Sequence, residues 1–245
     1  LVGVAGSTGT TAIHLHLNVQ HLGHGLAGYF IPDVIDPLTV LRWPQNGVPQ
    51  ADVIGTAWRG LHMRADGHSE PIDFECLRVG GLEAAKILTN TSFEELQQLL
   101  ATSGIAPGKI VLRLFADFRG RTVAPLDFFE WQRAWLAEFQ HRGGRYVEVH
   151  NEPNLPDEGL STSWANAAGF AGWFTTVAQQ LRADFPQLQI GYPGLSPSGG
   201  AVQPRGDVAE WLPAISGLIA QDLVGWIGVH CYWQSVAQMN GPADG

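Results

Sequence analysis

Apolar and polar residues alternate along this chain with two different periods. From Trp58 onward, apolar runs of strand length are separated by longer stretches in which apolar residues recur every three or four positions. The strand-like runs are "WRGLHMRAD" (58–66), "AAKILTN" (84–90), "KIVLRLFAD" (109–117), "RYVEVHNE" (145–152), "LQIGYPGL" (188–195) and "GWIGVHCYW" (225–233). The helical stretches between them have readable starts. Ser92 and Glu95 form a capping box ahead of Leu96, Leu99 and Leu100. Pro125 opens a helix where its missing N–H costs little, and Phe128, Trp131, Trp135 and Phe139 follow as its apolar stripe. Phe170, Trp173, Phe174, Val177 and Leu181 mark the next helix, which ends near Pro186. Asp207 and Glu210 resemble a second capping pair before Trp211, Leu212, Ile215, Leu218 and Ile219, and the stretch around 73–80 predicts the first helix of the series.

Strands and helices in strict alternation predict a parallel sheet with helices outside it. An open dinucleotide-binding sheet should carry a G-x-G-x-x-G turn after its first strand, and none follows the strand at 58–66. Polar residues gather instead at the carboxyl ends of several strands: His62 and Arg64, Asn90, Arg113 and Asp117, Asn151 and Glu152, His230 and Tyr232. Convergence from many strand ends onto one face is how a barrel builds its site. The expected fold class is therefore α/β: an incomplete (β/α)8 TIM barrel of about six strand–helix units with a small β-rich N-terminal fragment. Two strands of the ring are unaccounted for, so the chain is expected to be cut short at its C-terminal end. The first and sixth strands are then expected to have open edges. The chain also starts in mid-pattern at Leu1, without a methionine. Residues 1–42 are expected to form a separate β-rich module, 43–55 a Pro/Gly-rich linker and 56–245 the barrel.

Composition removes some partners. Fourteen basic against 23 acidic residues give a net charge of −9, with no basic stripe to neutralise a phosphate backbone, so nucleic acid is not an expected partner. No apolar run reaches the ~20 residues that span a bilayer. Cys76 and Cys231 are too few for a disulfide framework and are expected to be buried thiols. Nine tryptophans mostly supply core, and a few at a cleft mouth would stack on the apolar faces of sugar rings.

The residues of most chemical interest lie in "RYVEVHNEPNL" (145–155). Alternation puts Tyr146, Glu148 and His150 on the inner face of the strand and Glu152 at its upper rim, where Pro153 ends the ladder. A semi-buried carboxylic acid beside another acid holds its proton near neutrality, as a general acid for glycosidic cleavage must. "HNEPN" at the end of a fourth barrel strand resembles the Asn-Glu-Pro signature of the clan A glycoside hydrolases. The resemblance covers about 58–233 and implies Glu152 as acid/base, with Asn151 orienting the sugar. It also implies roles for Arg113 near an earlier strand end and for His230 and Tyr232 in "VHCYW", where Trp233 adds a ring for the substrate. His62, Arg64 and His150 complete the expected substrate-facing set. Arg113 is also readable as a structural partner of Glu148 or Glu152, and His62 and Arg64 as side chains that close the barrel mouth. Lys86 faces either inward to a carboxylate or outward. The clan's nucleophile is a glutamate on strand seven, and no residue here takes that role. Asp157 and Glu158 follow the acid/base too closely to replace it. This chain alone is therefore expected not to hydrolyse glycosides, and a longer parent to do so by a retaining mechanism. A barrel that binds glycan without cleaving it is the alternative.

A second resemblance lies near the start. "AIHLHLN" places His14 and His16 on one face of a strand. With the preceding "GSTGTT" and the later "DVIDPLTVL", it resembles the closing portion of the lysostaphin-like zinc endopeptidases, which cut peptidoglycan peptides. That match implies His16 as a zinc ligand and His14 as the catalytic histidine. The remaining ligands belong to an upstream segment, so zinc is expected only in a complete domain and no cofactor is expected for the barrel. The alternative is two histidines on a half-exposed strand. Together the resemblances imply carbohydrate as partner, including bacterial cell-wall glycan, and a location outside the cell or in its envelope.

Overall fold

The computed structural model describes residues 2–6, 14–19, 58–196 and 208–231. Strands β1 (Val2–Gly6) and β2 (His14–Val19) are followed by β3 (Arg59–His62), β4 (Ala84–Leu88), β5 (Ile110–Leu114), β6 (Tyr146–Val149), β7 (Gln189–Tyr192) and β8 (Trp226–Cys231). The helices are α1 (Pro71–Val79), α2 (Phe93–Ser103), α3 (Pro125–His141), α4 (Ala167–Asp184) and α5 (Val208–Ala220). β3 to β8 are parallel, each pairing with the next, and a helix lies between each consecutive pair. This is the architecture of an incomplete (β/α)8 barrel. The two edges expected to be open carry the N-terminal strands instead of a seventh and eighth unit. β1 runs parallel to β3, β2 antiparallel to β8, and β1 and β2 pair with each other, which closes the ring. The physical reason is that unpaired edge N–H and C=O groups take whatever strand is at hand. β1 and β2 belong to the same compact unit as the strands from β3 onward. The linker expected at 43–55 and the rest of 20–57 lie outside the described residues.

Alternation sorts the strands into two faces. Ala85, Ile87, Ile110, Leu112, Leu114, Val147, Val149, Ile190 and Tyr192 pack in the layer between sheet and helices. Their neighbours, Lys86, Arg113, Glu148 and His230 among them, occupy the barrel interior, where they are buried and paired with each other. At the amino end of the barrel Tyr146 meets Trp58 edge-on, with ring centroids 5.9 Å apart, and Lys109 sits 5.2 Å from the centre of the Trp58 ring.

The helix starts follow the sequence. Glu95 N donates to Ser92 Oγ and Ser92 N to Glu95 Oε2, each at 3.1 Å, which completes the capping box. Pro125 is the first residue of α3. The buried stripe of α3 differs from the expected one. It runs through Phe128, Phe129, Gln132, Leu136 and Phe139, while Trp131 is 56% exposed and Trp135 is half-buried against Phe93. Two stripes offset by one position compete in that sequence, and the one carrying Leu136 faces the sheet. Cys76 also departs from expectation: α1 buries Phe74 and Leu77, so Cys76 falls off that stripe as an exposed free thiol. Cys231 lies on β8, and its side chain is outside the described residues.

Among the described residues no helix is long and apolar enough to cross a membrane. Phe128 is fully buried and touches the rings of Phe118 and Trp173, with centroids 5.9 and 4.9 Å away. Phe128→Ala should lower unfolding free energy by about 3–5 kcal/mol, the usual cost of emptying an aromatic site. Urea titration followed by tryptophan fluorescence measures this.

Candidate functional site

Among the described residues, the barrel interior holds one anion amid cations. Glu148 is completely buried on β6, in an ion pair with Lys86 of β4 and accepting from Arg113 Nε of β5 at 2.8 Å. The register that aligns Arg113 with Glu148 places both at one level of the barrel. Arg113 and Lys86 hold the Glu148 carboxyl well below the usual carboxylate range despite burial, which pushes it up. Burial, and then Arg113, pull Lys86 down to about 7. Lys86 is thereby brought to the point of losing its proton near neutral pH. His62, on β3, is buried with Nδ1 donating to Met63 O at 2.6 Å, and burial followed by Arg113 and Lys86 keep it neutral.

Arg113 also reaches upward. Its Nη2 lies 3.2 Å from His230 Nε2, and His230 Nδ1 lies 2.7 Å from Glu152 Oε1. A guanidinium can only donate, so His230 Nε2 must accept, and the ring carries its proton on Nδ1. His230 then donates to Glu152. Burial and Arg113 lower the His230 pKa, in keeping with a neutral ring. Gly194 makes room for it, because a Cβ there would run into the imidazole. One continuous chain of contacts thus runs from Lys86 through Glu148, Arg113 and His230 to Glu152 at the carboxyl end of the strands.

The backbone at the end of β6 explains how a β-prone run delivers an acid at its tip. His150 and Glu152 are both left-handed, with φ of 74° and 33°, conformations that non-glycine residues hold only under constraint. Neighbouring loops supply the constraint. Glu152 N donates to Gly194 O at 3.1 Å. Asn154 donates to Ser196 O at 2.8 Å and accepts from Ser196 N at 2.9 Å, which staples the loop after β6 to the loop after β7.

The turn at His150 breaks the alternation expected to place it inside the barrel with Tyr146 and Glu148. His150 is fully buried in an aromatic shell, 4.3 Å from the Phe118 ring and 5.6 Å from that of Trp164, and burial pulls its pKa to about 4. It is a wall of the hydrophobic layer, not of a cleft. Arg64 is not brought to the site either. Its Nε donates to Asp73 Oδ2 at 2.7 Å and its Nη2 lies 3.5 Å from Glu70, so it ties the loop after β3 to the start of α1. Asn151 is half-buried beside Glu152, and its Nδ2 donates to Glu158 Oε1 at 2.9 Å.

Tyr232 and Trp233 lie outside the described residues, as do the side chains of His14 and His16 on β2. Among the described residues no group of three or more His, Cys, Asp or Glu is placed to hold a metal ion. Glu158 lies too close to Glu152 along the chain to stand out in the sequence as its partner. The short Pro156–Glu158 turn that folds it back was the available signal.

No protein-family model and no curated relative matches the chain. A solved structure of AbfB, a family 51 α-L-arabinofuranosidase from Bifidobacterium longum, is similar over 75% of this chain and 38% of that one, at 16% identity and a TM-score of 0.42. At that identity and score it says nothing of this chain's chemistry.

The depressed Lys86 pKa sets a pH dependence. Unfolded, the amine titrates near its ordinary value of about 10.4. Between about 7 and that value the unfolded chain holds a proton that the folded chain lacks, so the Lys86 contribution to stability rises with pH across this window. Urea titrations at pH 7 and pH 10 should show Lys86→Met losing that rise relative to the parent. Glu148→Ala, which strands two buried cations, should cost about 3–5 kcal/mol at pH 7 in the same assay.

Proposed function

We propose that the barrel is a glycoside-processing domain in which Glu152 serves as the acid/base for retaining cleavage of a polysaccharide O-glycosidic bond. The observation that carries this reading is the Glu152 carboxyl, 8% exposed, at the carboxyl end of β6 and hydrogen-bonded to His230. A side chain that gives and takes a proton in alternate steps must stay in place between them. His230 holds Oε1, Arg113 holds His230, and Glu148 holds Arg113. Asn151, next in the chain, is the group to orient a sugar hydroxyl. The reading gives no residue of this chain the nucleophile's role, although a retaining site needs a second carboxyl roughly 5–5.5 Å from the first.

That gap favours a second reading, a barrel that binds glycan without cutting it. In that version it would position a cell-wall peptidase on the glycan. Either version places the chain outside the cytoplasm, with bacterial cell-wall glycan as a candidate partner.

Co-sedimentation with insoluble polysaccharides, peptidoglycan included, tests binding by this chain. Release of nitrophenol from a panel of aryl glycosides tests turnover by the full-length protein. Glu152→Gln should leave sedimentation nearly unchanged and lower turnover by about 10²–10⁴-fold, the usual worth of a general acid. Equal turnover in the variant and parent would remove Glu152 from the chemistry. Turnover by neither, with sedimentation intact, would select the binding-only barrel.

A further inference from the structure

The loop after β6 carries a second carboxyl back to the site. Leu155 N donates to Glu152 O at 2.9 Å and Glu158 N to Leu155 O at 3.1 Å, so the chain doubles back within a few residues. Three contacts clamp it. His150 Nε2 donates to Glu158 O at 2.7 Å. Trp164 Nε1 donates to Pro153 O at 2.8 Å. Gly159, with φ of 110°, lies against the Trp164 ring, where a Cβ would come within 2.7 Å of a ring carbon. The Glu158 carboxyl is thereby held against Asn151. Its Oε1 accepts from Asn151 Nδ2 at 2.9 Å, while Asn151 Oδ1 is buried with no hydrogen-bond partner among the described residues. A buried amide oxygen without a partner is an uncommon arrangement, and one to be expected where a ligand hydroxyl completes the pairing.

We infer that Glu158 is a positioning residue of this site, turning the Asn151 amide so that Oδ1 is the acceptor offered to a ligand hydroxyl beside Glu152. The inference deepens the glycoside reading and rests on it for the identity of the ligand. An ionised carboxylate only accepts, so it fixes Nδ2 toward itself and Oδ1 away. A protonated carboxyl also donates and permits the amide to turn over. The Glu158 pKa is raised to about 7, by burial first. Glu152 and Asp157 act in the same direction, whereas the Asn151 hydrogen bond and Arg113 lower it. His150 Nε2 stands 3.6 Å from Oε2, and Arg119, hydrogen-bonded to Asp117, is within electrostatic reach of the same carboxyl. The amide is therefore locked above about pH 7 and released below it.

The test is a titration of the full chain from pH 5 to 9 by ¹⁵N-resolved NMR of side-chain amides, with Asn151 assigned by its loss in Asn151→Ala. The Asn151 amide pair should shift with a midpoint near 7 in the parent and stay flat in Glu158→Gln, whose melting temperature reports that the fold is kept. An Asn151 amide that ignores pH in the parent, or titrates equally in Glu158→Gln, overturns the inference. A panel of 4-nitrophenyl pentosides and hexosides supplies the second readout. The bound glycoside should tighten several-fold from pH 6 to pH 8 in the parent and not in Glu158→Gln. A glycoside that binds equally at both pH values overturns the inference. The absence of glycoside binding at either pH, with the amide titration intact, defeats the glycoside reading and leaves the placement of Glu158 standing.

Discussion

A carboxylate with no access to water sits at the centre of this barrel, and the rest of the site is built on it. Glu148 is tolerable there only because strands on its flank bring Lys86 and Arg113 to the same level. Satisfying that one charge commits Arg113 to a fixed pose. The pose sends the other arm of the guanidinium to His230, and the donor-only character of arginine then decides which imidazole nitrogen is protonated. Glu152 receives its hydrogen bond as the last step of a sequence that begins with burying an acid.

Much of this was legible in the chain. Six strands, the helices between them and the capping of α2 follow from periodicity and from Ser92 and Glu95, because these signals are local. The convergence of Arg113, His230 and Glu152 was legible too, since strand ends in a parallel barrel share one rim. What failed was whatever depends on a single backbone torsion or on competition between neighbouring stripes. A rule of alternation carried past Val149 puts His150 inside the barrel; a left-handed turn at that residue puts it among Phe118, Trp164 and their neighbours. Trp131 matched a helical stripe in spacing, yet Leu136 and Phe129 took the sheet-facing side of α3.

The closure of the ring was hidden for another reason. "VGVAG" and "HLHLN" have the look of strands but not of strand–helix units, so counting units leaves the ring short. Backbone pairing does not depend on units. A two-stranded N-terminal pair answers both edges at once, parallel to β3 on one side and antiparallel to β8 on the other.

The double hydrogen bond between Asn154 and Ser196 has a consequence for how the rim can change. It fuses the segments after β6 and β7 into one bridge, so neither can swing aside by itself to admit a bulkier guest. Lengthening one would drag the other and, through Gly194, the peptide of Glu152. Change in sequence that leaves that bridge undisturbed is confined to the far side of the rim, at the ends of β3, β4 and β5.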